Sequence, residues 1–160
     1  MPHEPAGDTA AIMVVPNGAR RGKADRFYRW ATGEGIAVQH ILYAPSDVER
    51  LARHVATGRV PGPVQSLYVP GRYAPPEDGT VGHLRSFLDA ARHFTDPPDW
   101  AACAFGRNET ACLVQAVKAG GKARIGFENN LEGADGSPAT DNAQRVAELK
   151  LALSRAGCGF

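Results

Sequence analysis

An α/β chain built on a parallel sheet is what this sequence predicts, and three observations carry the prediction. Short apolar runs alternate with amphipathic stretches at spacings of roughly 25–35 residues, as right-handed strand–helix–strand crossovers require. About five such units fit into the 160 residues, and no low-complexity stretch interrupts them. Gly- and Pro-bearing turns punctuate the units. Two architectures share this pattern: an open doubly wound sheet, and a piece of a (β/α)8 barrel, whose eight units normally take about 250 residues.

The first strand is Ala10–Val15, a continuous apolar run closed by the turn signal Pro16-Asn17-Gly18. A helix over Lys23–Glu34 follows, with Phe27, Trp30 and Ala31 at helical spacing and Gly33 and Gly35 as its stop. Ala37–Tyr43 is the second strand. Its helix is the best specified: Ser46 and Glu49 form a capping box, and Val48, Leu51, Ala52 and Val55 make one stripe that ends at Gly58. Val64–Val69 is the third strand, followed by the Pro/Gly-rich loop Pro70–Gly79. Thr80 caps a helix with the stripe Val81, Leu84, Leu88 and Ala91. Trp100–Phe105 is the fourth strand and Glu109–Ala119 its helix, stopped by Gly120-Gly121. Ala123–Phe127 is the fifth strand. The polar loop Asn129–Ala139 leads to a last helix over Asp141–Arg155, with Val146, Leu149 and Leu153 inward and Gly157 at its end. Residues 1–9 read as a flexible tail and 10–160 as one domain.

Composition excludes several classes of function. Hydrophobic residues at 43% and charged residues at 22% fit a soluble folded chain. A net charge of +1 argues against a dedicated nucleic-acid binder. No apolar run is long enough to span a membrane, and Met1–Thr9 lacks the apolar core of a signal peptide. Cys103, Cys112 and Cys158 are odd in number and unrelated in spacing, which fits thiols in a reducing cytoplasm.

In parallel α/β folds ligands sit at the carboxyl ends of the strands, so the fifth strand is informative. Alternation places Ile125 and Phe127 on the face packed against helices, and Arg124, Gly126 and Glu128 on the other. Both faces of a central strand in a doubly wound sheet should be apolar, whereas the inward side of a barrel strand can carry a site. The plainer alternative is that Arg124 and Glu128 form a buried ion pair or a solvated strand end.

The order of residues here resembles the carboxyl-terminal part of the β-keto acid cleavage enzymes, the 3-keto-5-aminohexanoate cleavage proteins. The likeness lies in Arg107-Asn108, Gly120-Gly121, Arg124-Ile125-Gly126-Phe127-Glu128-Asn129-Asn130, Gly136, and Asn142 with Val146. The family pattern resembles G-G-H-x-R-x-G-x-E-D-N, then a Gly-containing loop and an Asn-led helix. It is specific across Ala101–Val146 and looser over Gly35–Gly71. The resemblance implies a partial (β/α)8 TIM-type barrel and transfer of an acetyl unit between a β-keto acid and a coenzyme A thioester. It implies zinc or another divalent metal, held by two histidines of a His-x-His motif and by a glutamate at the position of Glu128. Such a metal polarises the keto oxygen and stabilises the enolate formed on cleavage. Arg124 matches the arginine that orients the acid, and a guanidinium fork suits a carboxylate. Arg107 and Asn108 are implied in substrate binding, and Asn129 stands at a catalytic position.

The sequence departs from the pattern at identifiable places. Asn129 replaces an Asp and can hydrogen-bond but not take a proton at neutral pH. Gln39 and Ile41 replace the acidic positions of P-E-x-E, and Lys122 stands where His is common. His3, His40, His54, His83 and His93 form no His-x-His. His40 should face the helix layer, away from Glu128, and His54, His83 and His93 read as surface or packing residues. Gly18–Lys23 is a basic loop whose spacing matches no phosphate-binding motif, so a solvated loop is expected. Pro70-Gly71-Arg72-Tyr73 reads as a connecting loop, with contact to a coenzyme tail as the alternative. Cys103 and Cys112 read as core thiols. Five units of eight would leave two open strand edges, which implies a second copy of the chain or a separate polypeptide with complementary units.

Overall fold

The computed structural model describes residues 9–12 and 21–158. Five parallel strands, β1 (Thr9–Ile12), β2 (Ala37–Leu42), β3 (Gln65–Tyr68), β4 (Asp99–Ala102) and β5 (Lys122–Ala123), form a sheet in the order β1-β2-β3-β4-β5. The helices are α1 (Arg21–Gly33), α2 (Pro45–Ala56), α3 (Val81–Ala91), α4 (Glu109–Lys118) and α5 (Asn142–Arg155). Strand order follows chain order throughout, so the winding never reverses. Crossovers of one hand then place every helix on the same face of the sheet. A doubly wound sheet needs a reversal point, and none occurs among the described strands.

The register explains how the faces divide. Leu42, Tyr68, Ala102 and Ala123 lie side by side across β2–β5, one above the next row of His40, Ser66 and Trp100. These rows face the helices. Leu42 and Tyr68 join Val48, Leu51 and Ala52 of α2 and Phe87 and Ala90 of α3 in one buried cluster. Ala102 joins Leu84, Leu113, Ala116, Leu149 and Leu153 in a second. The opposite face carries a third cluster of Leu67, Val69, Cys103 and Phe105, flanked by Ile41 and Ala101, to which no helix contributes.

Several elements differ from expectation for identifiable reasons. Helix α2 starts at Pro45, not after Ser46: a proline suits a first helical turn, and the Asp47 carboxylate accepts from the Tyr43 and Ala44 backbone N–H groups at 3.1 Å each. Thr80 does cap α3, accepting from His83 N–H at 3.1 Å. Val146 is exposed rather than inward, and Arg145 takes the buried place on the stripe with Leu149 and Leu153. Strand β5 is two residues long, not five. Its pairing runs one bond further, Arg124 N–H to Ala102 O at 2.9 Å, before the chain turns. Of the expected tail only Thr9 is described, and it opens β1; the turn at 16–18 and half of the basic loop lie outside the described residues. Arg21–Lys23, from the end of that loop, open α1.

Candidate functional site at the carboxyl ends of the strands

Three segments leave the carboxyl ends of β3, β4 and β5 beside one another. The β3 segment turns at Gly71 (φ +85°), folds back through an Arg72–Glu77 bridge, and returns to hydrogen-bond Gly79 N–H to Phe105 O at 2.7 Å. The β4 segment continues to Phe105 and turns at Gly106, whose φ is +80°. A Cβ there would run into the Asp78 carboxylate. Gly106 N–H reaches Asn129 O at 3.3 Å and so ties the β4 segment to the β5 segment. Tyr73 packs edge-on against Phe105, ring centroids 4.3 Å apart.

The β5 segment holds the residues singled out from the sequence. It is a turn and not a strand: Asn129 N–H bonds Gly126 O at 3.2 Å, and Phe127 N–H donates to Asn142 Oδ1 at 2.8 Å. Arg124 and Glu128 still come together, as an ion pair across that turn with both side chains partly exposed. The ion pair of the plainer alternative is therefore present, but it is exposed rather than buried, and it spans a turn rather than a strand end. Asn129 is buried. Arg107 and Asn108 lie exposed at the entrance to α4; Asn108 occupies its N-cap position without a side-chain cap bond. Arg107 Nε is 3.8 Å from Asp78 Oδ2. Ile125 packs on the helix side as alternation requires.

The remaining candidates, His83 and Cys103 apart, fall away from this end. His40 is buried on the helix side, with Tyr28 Oη at 2.8 Å from Nε2 and Gln65 O at 3.1 Å from Nδ1. His54 lies on α2, His83 on α3, and His93 just beyond the end of α3. His83 approaches Glu77 at 3.5 Å. Lys122 pairs with Asp99 at 2.7 Å, near the start of β4. Gln39 and Ile41 point to the helix-free side of the sheet, alternating with His40 and Leu42. Burial pushes the Cys103 and Cys112 thiols up to about 11, so both stay protonated in the core. A cavity of about 330 Å³ lined by Tyr28, Arg29, Gly58 and Arg59 lies against α1 and involves none of these residues.

No sequence signal had singled out the pair that underlies the β5 turn. Glu109 on α4 and Arg145 on α5 are both fully buried, with Glu109 Oε2 at 2.5 Å from Arg145 Nη2. Burial pushes the Glu109 carboxyl up, against the opposing pull of Arg145. An arginine in register with Leu149 and Leu153 on the buried stripe was the available clue.

A metal implied by the family resemblance needs about three protein ligands. Among the described residues no group of three His, Cys, Asp or Glu side chains is placed to hold an ion. Glu128 is exposed and engaged by Arg124. These residues alone do not make a metal site.

A singly wound parallel α/β sheet with an Arg/Glu turn at the end of its fifth strand defines the class to which this chain is assigned. The family model for beta-keto acid cleavage enzymes matches residues 11–159, and the chain belongs to that family. No curated protein matches the chain.

Proposed function

We propose that this chain supplies the carboxyl-terminal βα units of a TIM-type barrel that cleaves β-keto acids, in the transfer of an acetyl unit between such an acid and a coenzyme A thioester. What supports the reading is the family match together with Arg124 and Glu128 meeting at the carboxyl end of the fifth strand. Arg124 grips the substrate carboxylate with its guanidinium fork, displacing Glu128 from that fork. The buried Asn129 helps fix the substrate by hydrogen bonding, and Arg107 and Asn108 line its approach. Glu128, once released, is one ligand for zinc or another divalent cation. The remaining ligands come from complementary units, in a second copy or another polypeptide, and the assembly works in the cytoplasm. Among the described residues no helix is long and apolar enough to cross a membrane.

A second reading has a specific observation behind it: an Asn at the proton-accepting position and a Glu128 held by Arg124. On that reading the chain is a non-catalytic barrel piece that binds an anion or a partner chain.

Metal content after exhaustive gel filtration, compared with Glu128→Ala, separates the two. About one zinc per chain or per dimer, lost in the variant, is the outcome expected of the enzyme. No metal in either protein means that this chain alone is not a metal-dependent cleavage enzyme, and the search turns to a polypeptide carrying the complementary units. Stability should change by only about 0–1 kcal/mol in the variant, because the ion pair is exposed.

A further inference from the structure

We propose that Glu109 and Arg145 are positioning residues, a buried ion pair between α4 and α5 that fixes the turn bearing Arg124, Glu128 and Asn129. The role of that turn in chemistry rests on the β-keto acid reading; the fixing of its shape does not.

The pair is placed where packing alone gives no reason for it. Both side chains are 0% exposed, and the second carboxylate near Arg145, that of Glu148 at 3.1 Å, is 27% exposed. A buried ion pair contributes less to stability than apolar residues of similar volume in many proteins, because both ions lose their hydration. Arg145 Nε moreover lacks a hydrogen-bond partner, which adds to the cost of burial. What the pair does have is contact with the turn. The Asn130 side chain and the Gly126 backbone lie beside the Glu109 carboxylate and favour its charged form. Gly126 opens the turn and Asn130 follows its end.

Two further links make the arrangement a clamp. The Asn130 side chain closes a loop with Glu132, donating to Glu132 O at 2.9 Å and accepting from Glu132 N–H at 3.0 Å. Asn142, three residues before Arg145 on α5, accepts from Phe127 N–H, and a Cβ on Gly126 would lie 3.1 Å from its Oδ1. Helices α4 and α5 therefore hold the segment 126–132 at its beginning and its middle, and Asn130 ties its end at Glu132 to the middle. Arg124 and Glu128 meet across that segment.

Amide hydrogen exchange on the full chain tests this, with acetoacetate binding as a second readout. The double variant Glu109→Leu/Arg145→Leu replaces the pair by apolar volume, and its unfolding midpoint should equal or exceed that of the parent. In that folded variant the Phe127 and Glu132 amides should exchange at least tenfold faster, with the α4 and α5 interiors unchanged. Acetoacetate should bind at least tenfold more weakly. Parent-like exchange across 126–132 in the folded double variant overturns the proposal. Should the double variant not fold, Glu109→Gln keeps the volume and removes the charge. Selective loosening of 126–132 in it supports the clamp, and parent-like exchange overturns it. A parent chain that does not bind acetoacetate counts against the β-keto acid reading, while the exchange comparison still decides the clamp.

Discussion

His40 is held as a neutral imidazole by two neighbours of fixed polarity. Gln65 O can only accept, so Nδ1 carries the proton; Nε2 is then the acceptor for the Tyr28 hydroxyl. Burial lowers the pKa of His40 from its ordinary 6.5 and raises that of Tyr28 to about 12, so both groups resist charging. Above the unfolded value the folded and unfolded chains bind no extra proton here, and the contribution to stability is complete. As pH falls through about 6.5 the unfolded chain takes up a proton that the folded chain refuses, and stability is lost. Thermal unfolding should therefore show a decline between pH 7 and pH 5 that His40→Gln largely removes. An identical pH dependence in both proteins would remove His40 as its source. Gly121 illustrates a different constraint at the same scale. A methyl group there would meet the Trp100 ring, so Gly121→Ala should cost about 1–3 kcal/mol in chemical denaturation. A cost near zero would mean that the indole moves aside freely.

At the scale of elements, α2 shows what periodicity reads and what it does not. The stripe of Val48, Leu51 and Ala52 is buried as its spacing requires, because burial of one face is what a helical repeat of apolar residues reports. The start of the helix is less legible, since Ser46 and Glu49 also fit a capping box while Pro45 and Asp47 begin the helix two residues earlier. Asp47→Ala should cost about 1 kcal/mol and Ser46→Ala much less, and a reversed order in thermal unfolding would restore the Ser46 cap. In α5 the residues Val146, Leu149 and Leu153 and the residues Arg145, Leu149 and Leu153 fit a helix equally well. Hydropathy favours the first set, and the negative partner on α4 selects the second. That partner is 36 residues away in sequence, so a local pattern contains nothing of it. Strand β5 is shorter than alternation predicts for a related reason. Alternation of Arg124, Ile125, Gly126, Phe127 and Glu128 fits a strand, but Asn142 draws Phe127 N–H into a turn through a bond the chain makes only after folding. Arg124 and Glu128 meet all the same, because i, i+4 residues in a tight turn also approach each other.

At the scale of the whole molecule the strand order sets a problem that the helices do not solve. Among the described residues the five helices cover one face, while the other carries Leu67, Val69, Cys103 and Phe105 with Ile41 and Ala101 at its margin. Strands β1 and β5 are the edges of the sheet. In a closed barrel such edges pair with further strands and the inner face is filled by side chains from all of them. An open sheet leaves unpaired backbone donors and acceptors that favour pairing with another chain. Association through this face and these edges is the arrangement we propose, and it is also what would bring further ligands to Glu128. Sedimentation velocity should then find a dimer or larger species at micromolar concentration. Ile41→Glu, at the half-buried margin of the helix-free face, should shift the population toward monomer while leaving the far-ultraviolet circular dichroism unchanged. A parent chain that is a monodisperse monomer with one cooperative unfolding transition would rule association out. The five units would then have to satisfy their own edges, and any chemistry at Arg124 and Glu128 would have to come from this chain alone.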